Sequence, residues 1–172
     1  GDPEGQPIVF SHGWTCSADY WIPQINAFAE NYQVIVYDQR GHGRSDVGTR
    51  PLGPDVLADD LADVLAATVR ESNKAVLVGH SMGGMSIMAW AGRYPDQVDL
   101  LVRAVLLAST ATDSLVRETR VIPRPQRCPR VPVPVGRRLL GSAVPLRPSS
   151  VTRQAIKYVS MAPGSTQAEV AF

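Results

Sequence analysis

The chain is 172 residues long, 44% hydrophobic and 19% charged, a balance that suits one ordinary globular core. No apolar run reaches the roughly 18 residues of a membrane span, no stretch repeats, and the opening Gly1-Asp2-Pro3-Glu4-Gly5-Gln6 reads as a turn rather than a secretory leader. The net charge of +1 is unevenly divided: residues 1–110 hold 7 Lys/Arg against 13 Asp/Glu, and residues 111–172 hold 10 against 3.

In chain order, residues 7–11 form a short apolar run that reads as a buried strand, and His12-Gly13-Trp14-Thr15-Cys16 follows as a loop. Residues 19–31 show helical spacing, with Trp21, Ile25 and Phe28 on one face. Gln33-Val34-Ile35-Val36-Tyr37 reads as a second buried strand, and residues 38–45 as a Gly-rich loop. Residues 55–71 predict an amphipathic helix, with Leu57, Leu61, Val64, Leu65 and Val69 on one side and Asp55, Asp59 and Asp60 near its positive N-terminal end. Ala75-Val76-Leu77-Val78 is a β-type run that leads into Gly79-His80-Ser81-Met82-Gly83, and a helix-compatible run over residues 85–93 leads out, closed by Tyr94-Pro95. Residues 102–108 give a fourth strand. The order β-α-β-α-β-α-β with continuous apolar strands predicts an α/β fold, a mostly parallel sheet with helices on both faces. Function is then expected at the C-terminal strand ends.

After Ser109 the texture changes. Pro123, Pro125, Pro129, Pro132 and Pro134 exclude a regular helix and favour extended backbone. Residues 150–161 read as a short helix, and Thr166-Gln167-Ala168-Glu169 has capping-box form just before the chain stops at Phe172, which suggests sequence beyond it. The expected organisation is therefore a core over residues 1–110 and a Pro/Arg-rich segment over residues 111–172. The basic residues of the second part are spread among prolines with Tyr158 the one aromatic near them, which argues for a solvated surface and against nucleic-acid binding. Cys16 and Cys128 have no framework spacing and read as free thiols of a reducing, cytoplasmic compartment. The chain carries no metal-ligand spacing, dinucleotide fingerprint or phosphate loop, so no cofactor is implied.

Gly79-His80-Ser81-Met82-Gly83 reads G-x-S-x-G, and strand, sharp turn and helix surround it in the order that gives the pattern a mechanical meaning. Small residues let the backbone bend tightly enough to lift Ser81 Oγ above the sheet, and the following helix aims its first N–H groups at the same spot. The plain alternatives are a Ser that fills a tight turn and, for Trp14, an ordinary core aromatic.

With these motifs in place the chain resembles the α/β-hydrolase superfamily, in its cofactor-free serine hydrolase and perhydrolase-like branch. His12-Gly13-Trp14 looks like the oxyanion loop, Asp38-Gln39-Arg40-Gly41-His42-Gly43-Arg44-Ser45 like the D-x-R-G-x-G-x-S turn, and the Ser81 bend like the nucleophile elbow. The set covers residues 7–110; the remainder resembles the start of that family's variable lid. The resemblance implies Ser81 as nucleophile, with the backbone N–H groups of Trp14 and Met82 as the oxyanion hole and their side chains walling the acyl pocket. Ser rather than Asp at the bend implies an acyl ester, not the alkyl ester of epoxide hydrolases and dehalogenases. His80 is expected to point away from the pocket, His12 to brace its loop and His42 to sit within its turn. None is expected to act as base, because the family's order is nucleophile, acid, then His. Asp38 and Arg40 are expected to tie down their own turn.

That order exposes a gap: no His occurs between Met82 and Phe172, and Asp113 is the nearest candidate acid. The expectation is a fragment with nucleophile and oxyanion hole but without the base. Its substrate is a small acyl compound: an ester, thioester or lactone. Perhydrolase or haloperoxidase-like activity and C–C hydrolysis use the same framework. A truncated, inactive product or binding module is the reading from another class. An unpaired strand over residues 102–108 would expose a sheet edge, so the isolated chain is expected to be poorly soluble or oligomeric.

Overall fold

The computed structural model describes residues 1–112. Four strands, β1 (Gln6–Ser11), β2 (Tyr32–Val36), β3 (Ala75–His80) and β4 (Val102–Ala108), form one sheet in the order β2-β1-β3-β4, every pair parallel. Four helices connect them: α1 (Ile22–Phe28), α2 (Pro54–Thr68), α3 (Met82–Arg93) and α4 (Pro95–Leu101). The chain leaves β1 for β2 on one side, whereas β3 lies on the other. The C-terminal ends of β1 and β3 therefore flank the switch point at which open α/β sheets hold their ligands.

The period of two along each strand sends side chains to opposite faces. Val9 of β1 and Ala75 and Leu77 of β3 meet Ala58, Leu61 and Leu65 of α2 and Ile87 and Trp90 of α3 in the main core. Ile8 and Phe10 face the other way, onto Trp21, with Val34, Val36, Val76 and Val78 around them. The predicted α/β fold with helices on both faces is thus present. Asp59 of α2 joins the two large helices: it accepts hydrogen bonds from Tyr94 Oη at 2.6 Å and Arg93 Nε at 2.7 Å, and pairs with Arg50 at 2.8 Å. The Tyr94 and Arg50 bonds hold its carboxyl down at about 2.

The elements differ from the sequence reading where a local rule was overridden. Pro23 divides the predicted helix over residues 19–31. Its ring and missing N–H fit only a first turn, so Ala18–Trp21 is a separate 3₁₀ turn and α1 begins afresh. Of Trp21, Ile25 and Phe28, only Trp21 is buried; Phe28 stays at the surface, edge-on to Tyr32. Helix α3 starts at Met82, three residues before the predicted start, because Gly83 and Gly84 are required by packing rather than by propensity. Pro95, expected as a stop, is also the start of α4. β4 ends the sheet among the described residues and leaves Val105, Leu106 and Leu107 exposed, the open edge the sequence anticipates.

Leu65 is fully buried between α2 and the sheet. Leu65→Ala is expected to lower stability by about 2–5 kcal/mol in urea denaturation, through lost burial and the cavity left behind.

Candidate functional site

Ser81 lies between β3 and α3 with φ 52° and ψ −116°. A side chain in this left-handed region costs on the order of 1–3 kcal/mol and persists only where surroundings impose it. Here the Ser81 N–H donates to Ala108 O at 2.9 Å, and Thr110 Oγ1 donates to Ser81 O at 2.7 Å. The end of β4 thus holds both sides of the bent residue. The Ser81 hydroxyl makes no capping bond to α3.

The first turn of α3 is pressed onto the end of β1. A Cβ added to Gly83 would lie 2.0 Å from Ser11 O and 2.8 Å from His12 O, so only glycine fits. Gly13 lies against the bend as well: a Cβ there would stand 3.3 Å from Ser81 Cβ and 2.9 Å from His80 Nδ1. Trp14 follows directly. Among the described residues, neither its N–H nor that of Met82 donates to a backbone carbonyl. Met82 is the first residue of α3 and has no intrahelical acceptor. Trp14 is 50% exposed, not part of the core formed by the described residues. Asp113 lies outside the described residues.

The three histidines have separate positions. His12 is fully buried; Nδ1 donates to Gly13 O at 2.8 Å and Nε2 accepts from the Gln39 N–H at 3.0 Å, which fixes a neutral tautomer. Burial lowers its pKa. His42 places Nδ1 3.0 Å from Arg40 O, inside its own turn. His80 stacks on Tyr20 at 5.0 Å; Tyr20 meets Trp21 edge-on, and Trp21 packs against Phe10. Its Nδ1 is buried without a partner among the described residues, and burial lowers its pKa too.

Asp38 accepts from the Arg44 N–H at 3.0 Å, within its turn, and from the Ala18 N–H at 2.7 Å, beyond it. Burial opposes its charge, but these donors outweigh it and hold the carboxyl below its ordinary value. Arg40 differs from expectation. Its guanidinium forks onto Asp60 of α2, with Nε 2.8 Å from Oδ2 and Nη2 on Oδ1, a carboxylate that matches the fork, while Nη1 donates to Val47 O at 3.5 Å just past the turn. A surface cavity of about 380 Å³ beside this pair, lined by Tyr37, Asp38, Arg40 and Asp60, does not include Ser81.

Two residues escaped the sequence reading. Gln39, in the variable position of the D-x-R-G turn, is 2% exposed; its side-chain N–H donates to His12 O and its Oε1 accepts from Ser86 Oγ at 2.8 Å. Thr110 falls after the last predicted strand. The signal for Gln39 was a long polar side chain beside an apolar strand; Thr110 offered none.

Residues 6–126 match the family model described as alpha/beta hydrolase fold, and the chain belongs to that family. It is 40% identical over 94 residues to a non-heme chloroperoxidase of Streptomyces lividans, covering 54% of this chain and 33% of the relative. It is 38% identical over 109 residues to a bifunctional esterase/perhydrolase of Acinetobacter calcoaceticus, covering 62% and 38%. The solved structure of an N-acyl homoserine lactone degrading enzyme superposes with a TM-score of 0.55 at 39% identity, covering 63% of this chain and 40% of the other. The chain spans about two-fifths or less of the length of these proteins. No helix among the described residues is long and apolar enough to cross a membrane.

Two outcomes follow from this geometry. Gly83→Ala is expected to cost at least the roughly 1–3 kcal/mol of core overpacking, because backbone carbonyls must move, and its urea midpoint should drop accordingly. His12 and His80 titrate lower in the folded chain than at their ordinary 6.5, so protonation favours unfolding. Stability should be complete above about pH 6.5 and fall as acid is added down to the folded values. The His12→Gln, His80→Gln double variant should flatten that decline below about pH 6.5, whereas Asp38 and Asp59 act only below their ordinary 3.8.

Proposed function

We propose that the protein is a serine hydrolase whose Ser81 accepts an acyl group from a small ester, thioester or lactone. The observation that carries this reading is Ser81 held in a left-handed bend, its hydroxyl free of α3, beside a loop whose Trp14 N–H meets no backbone acceptor among the described residues. In the proposed step, Ser81 Oγ attacks the acyl carbon and passes its proton to a base. The alcohol, thiol or lactone oxygen then leaves, and water releases the acid. The N–H groups of Trp14 and Met82 stabilise the tetrahedral oxyanion, and each such donor is worth about 3 kcal/mol at the transition state.

The base and its orienting acid are the unassigned members. His12 spends both ring nitrogens on structure, and His80 follows the stack on Tyr20. Asp113 is the nearest acid after β4, and residues 83–172 contain no His. Residues 1–110 are then the nucleophile-bearing half of the catalytic domain, residues 111–172 open its lid, and these 172 residues by themselves are nearly inactive. Loss of the base leaves the roughly 10³–10⁴-fold acceleration that binding and the oxyanion hole supply. Names of relatives favour a second reading: the chloroperoxidase and the esterase/perhydrolase suggest that peroxide can replace water as acyl acceptor.

A fluorophosphonate probe should label the full-length protein at Ser81, and Ser81→Ala should abolish labelling. Persistent labelling of the variant would remove Ser81 from the mechanism. Peracid formation from an ester and peroxide, measured against hydrolysis, separates the two readings.

A further inference from the structure

We propose that Gln39 is a positioning residue that sets the loop after β1 and the start of α3 at a fixed distance, and so aligns the two oxyanion donors; this rests on the acyl-transfer reading above. Its side-chain N–H donates to the carbonyl of His12, and its Oε1 accepts from Ser86 Oγ at 2.8 Å. Ser86 Oγ also lies 3.0 Å from Met82 O. One amide therefore bridges the carbonyl just before Gly13-Trp14 to the first turn that begins at Met82. The main-chain N–H of the same residue anchors His12 Nε2 at 3.0 Å. Gln39 and Ser86 are both buried, so water is poorly placed to substitute for the bridge.

Backbone packing cannot fix this alignment alone. Gly83 lets α3 approach Ser11 O and His12 O, but glycine only permits closeness and has no side chain with which to enforce a separation. Gln39 supplies a donor on one side and an acceptor on the other, a polarity that a carboxylate cannot reproduce. Displacement of catalytic groups by about 1 Å can cost on the order of 10²-fold in rate. The expected signature is a loss in kcat with little change in KM, because the oxyanion exists only in the transition state.

The test uses the full-length protein with p-nitrophenyl acetate and three variants. Gln39→Met keeps volume without hydrogen bonds and should lower kcat about 10–100-fold, with KM within about twofold. Gln39→Glu should be crippled at about pH 8, where the carboxylate repels His12 O, and should recover toward about pH 5.5 as the protonated acid donates to it. His12, with His42 against its ring, and Asp38 and Arg40 are the charged or titratable groups beside this position. Each variant profile is therefore divided by the wild-type profile. Wild-type kcat in Gln39→Met, or an equal loss at both pH values in Gln39→Glu, overturns the positioning role. If Ser81→Ala is inactive while Gln39→Met is unaffected, only this inference fails; if Ser81→Ala keeps wild-type turnover, the acyl-enzyme reading fails and takes this inference with it.

Discussion

The structure depends on one backbone contact: the first turn of α3 against the carbonyls at the end of β1. Gly83 lets helix and strand approach to a separation that no Cβ survives. With α3 seated there, the one residue between β3 and α3, Ser81, takes the left-handed bend. Strain at one residue is tolerable because it is spread over partners on other elements. Ala108 and Thr110 hold its main chain from β4, and the core of Val9, Leu77, Ile87 and Trp90 holds the helix from beneath.

A second layer of polar contacts surrounds that bend. Asp38 reaches from its own turn to the first residue of the 3₁₀ segment, His12 lies between Gly13 and Gln39, and Gln39 reaches on to Ser86. Buried polar groups of this kind are costly alone and rigid when mutually satisfied. The loop after β1 therefore follows α3 and the Gly-rich turn, rather than moving as a free surface loop. Arg40 and Asp59 do the same work farther out, where one joins the turn to α2 and the other joins α2 to α3.

Much of the fold was legible. Continuous apolar strands, the Leu57-Leu61-Leu65 stripe and the glycine-flanked serine each follow from a local rule, and the structure contains the corresponding sheet and the α2 helix; around Ser81 stand the strand, bend and helix the motif anticipates. The losses have physical causes. Helical periodicity over residues 19–31 says nothing about the carbonyl that Pro23 would strike. Glycines read as poor helix formers, yet Gly83 and Gly84 open α3 because the end of β1 and the Thr110 side chain need the space. Arg40 looked local because its tertiary partner, Asp60, lies twenty residues away.

The sequence by itself determined the order of the four strands, their parallel arrangement and the position of the serine in the chain, because periodicity, proline and glycine act over a few residues; α4 was not among the elements it gave. Tertiary structure alone decided which groups meet around it. The bridge from His12 through Gln39 to Ser86, and the hold of Thr110 on Ser81, join residues 27, 47 and 29 positions apart. No local pattern encodes such contacts; they exist only once the sheet has brought the ends of β1, β3 and β4 side by side.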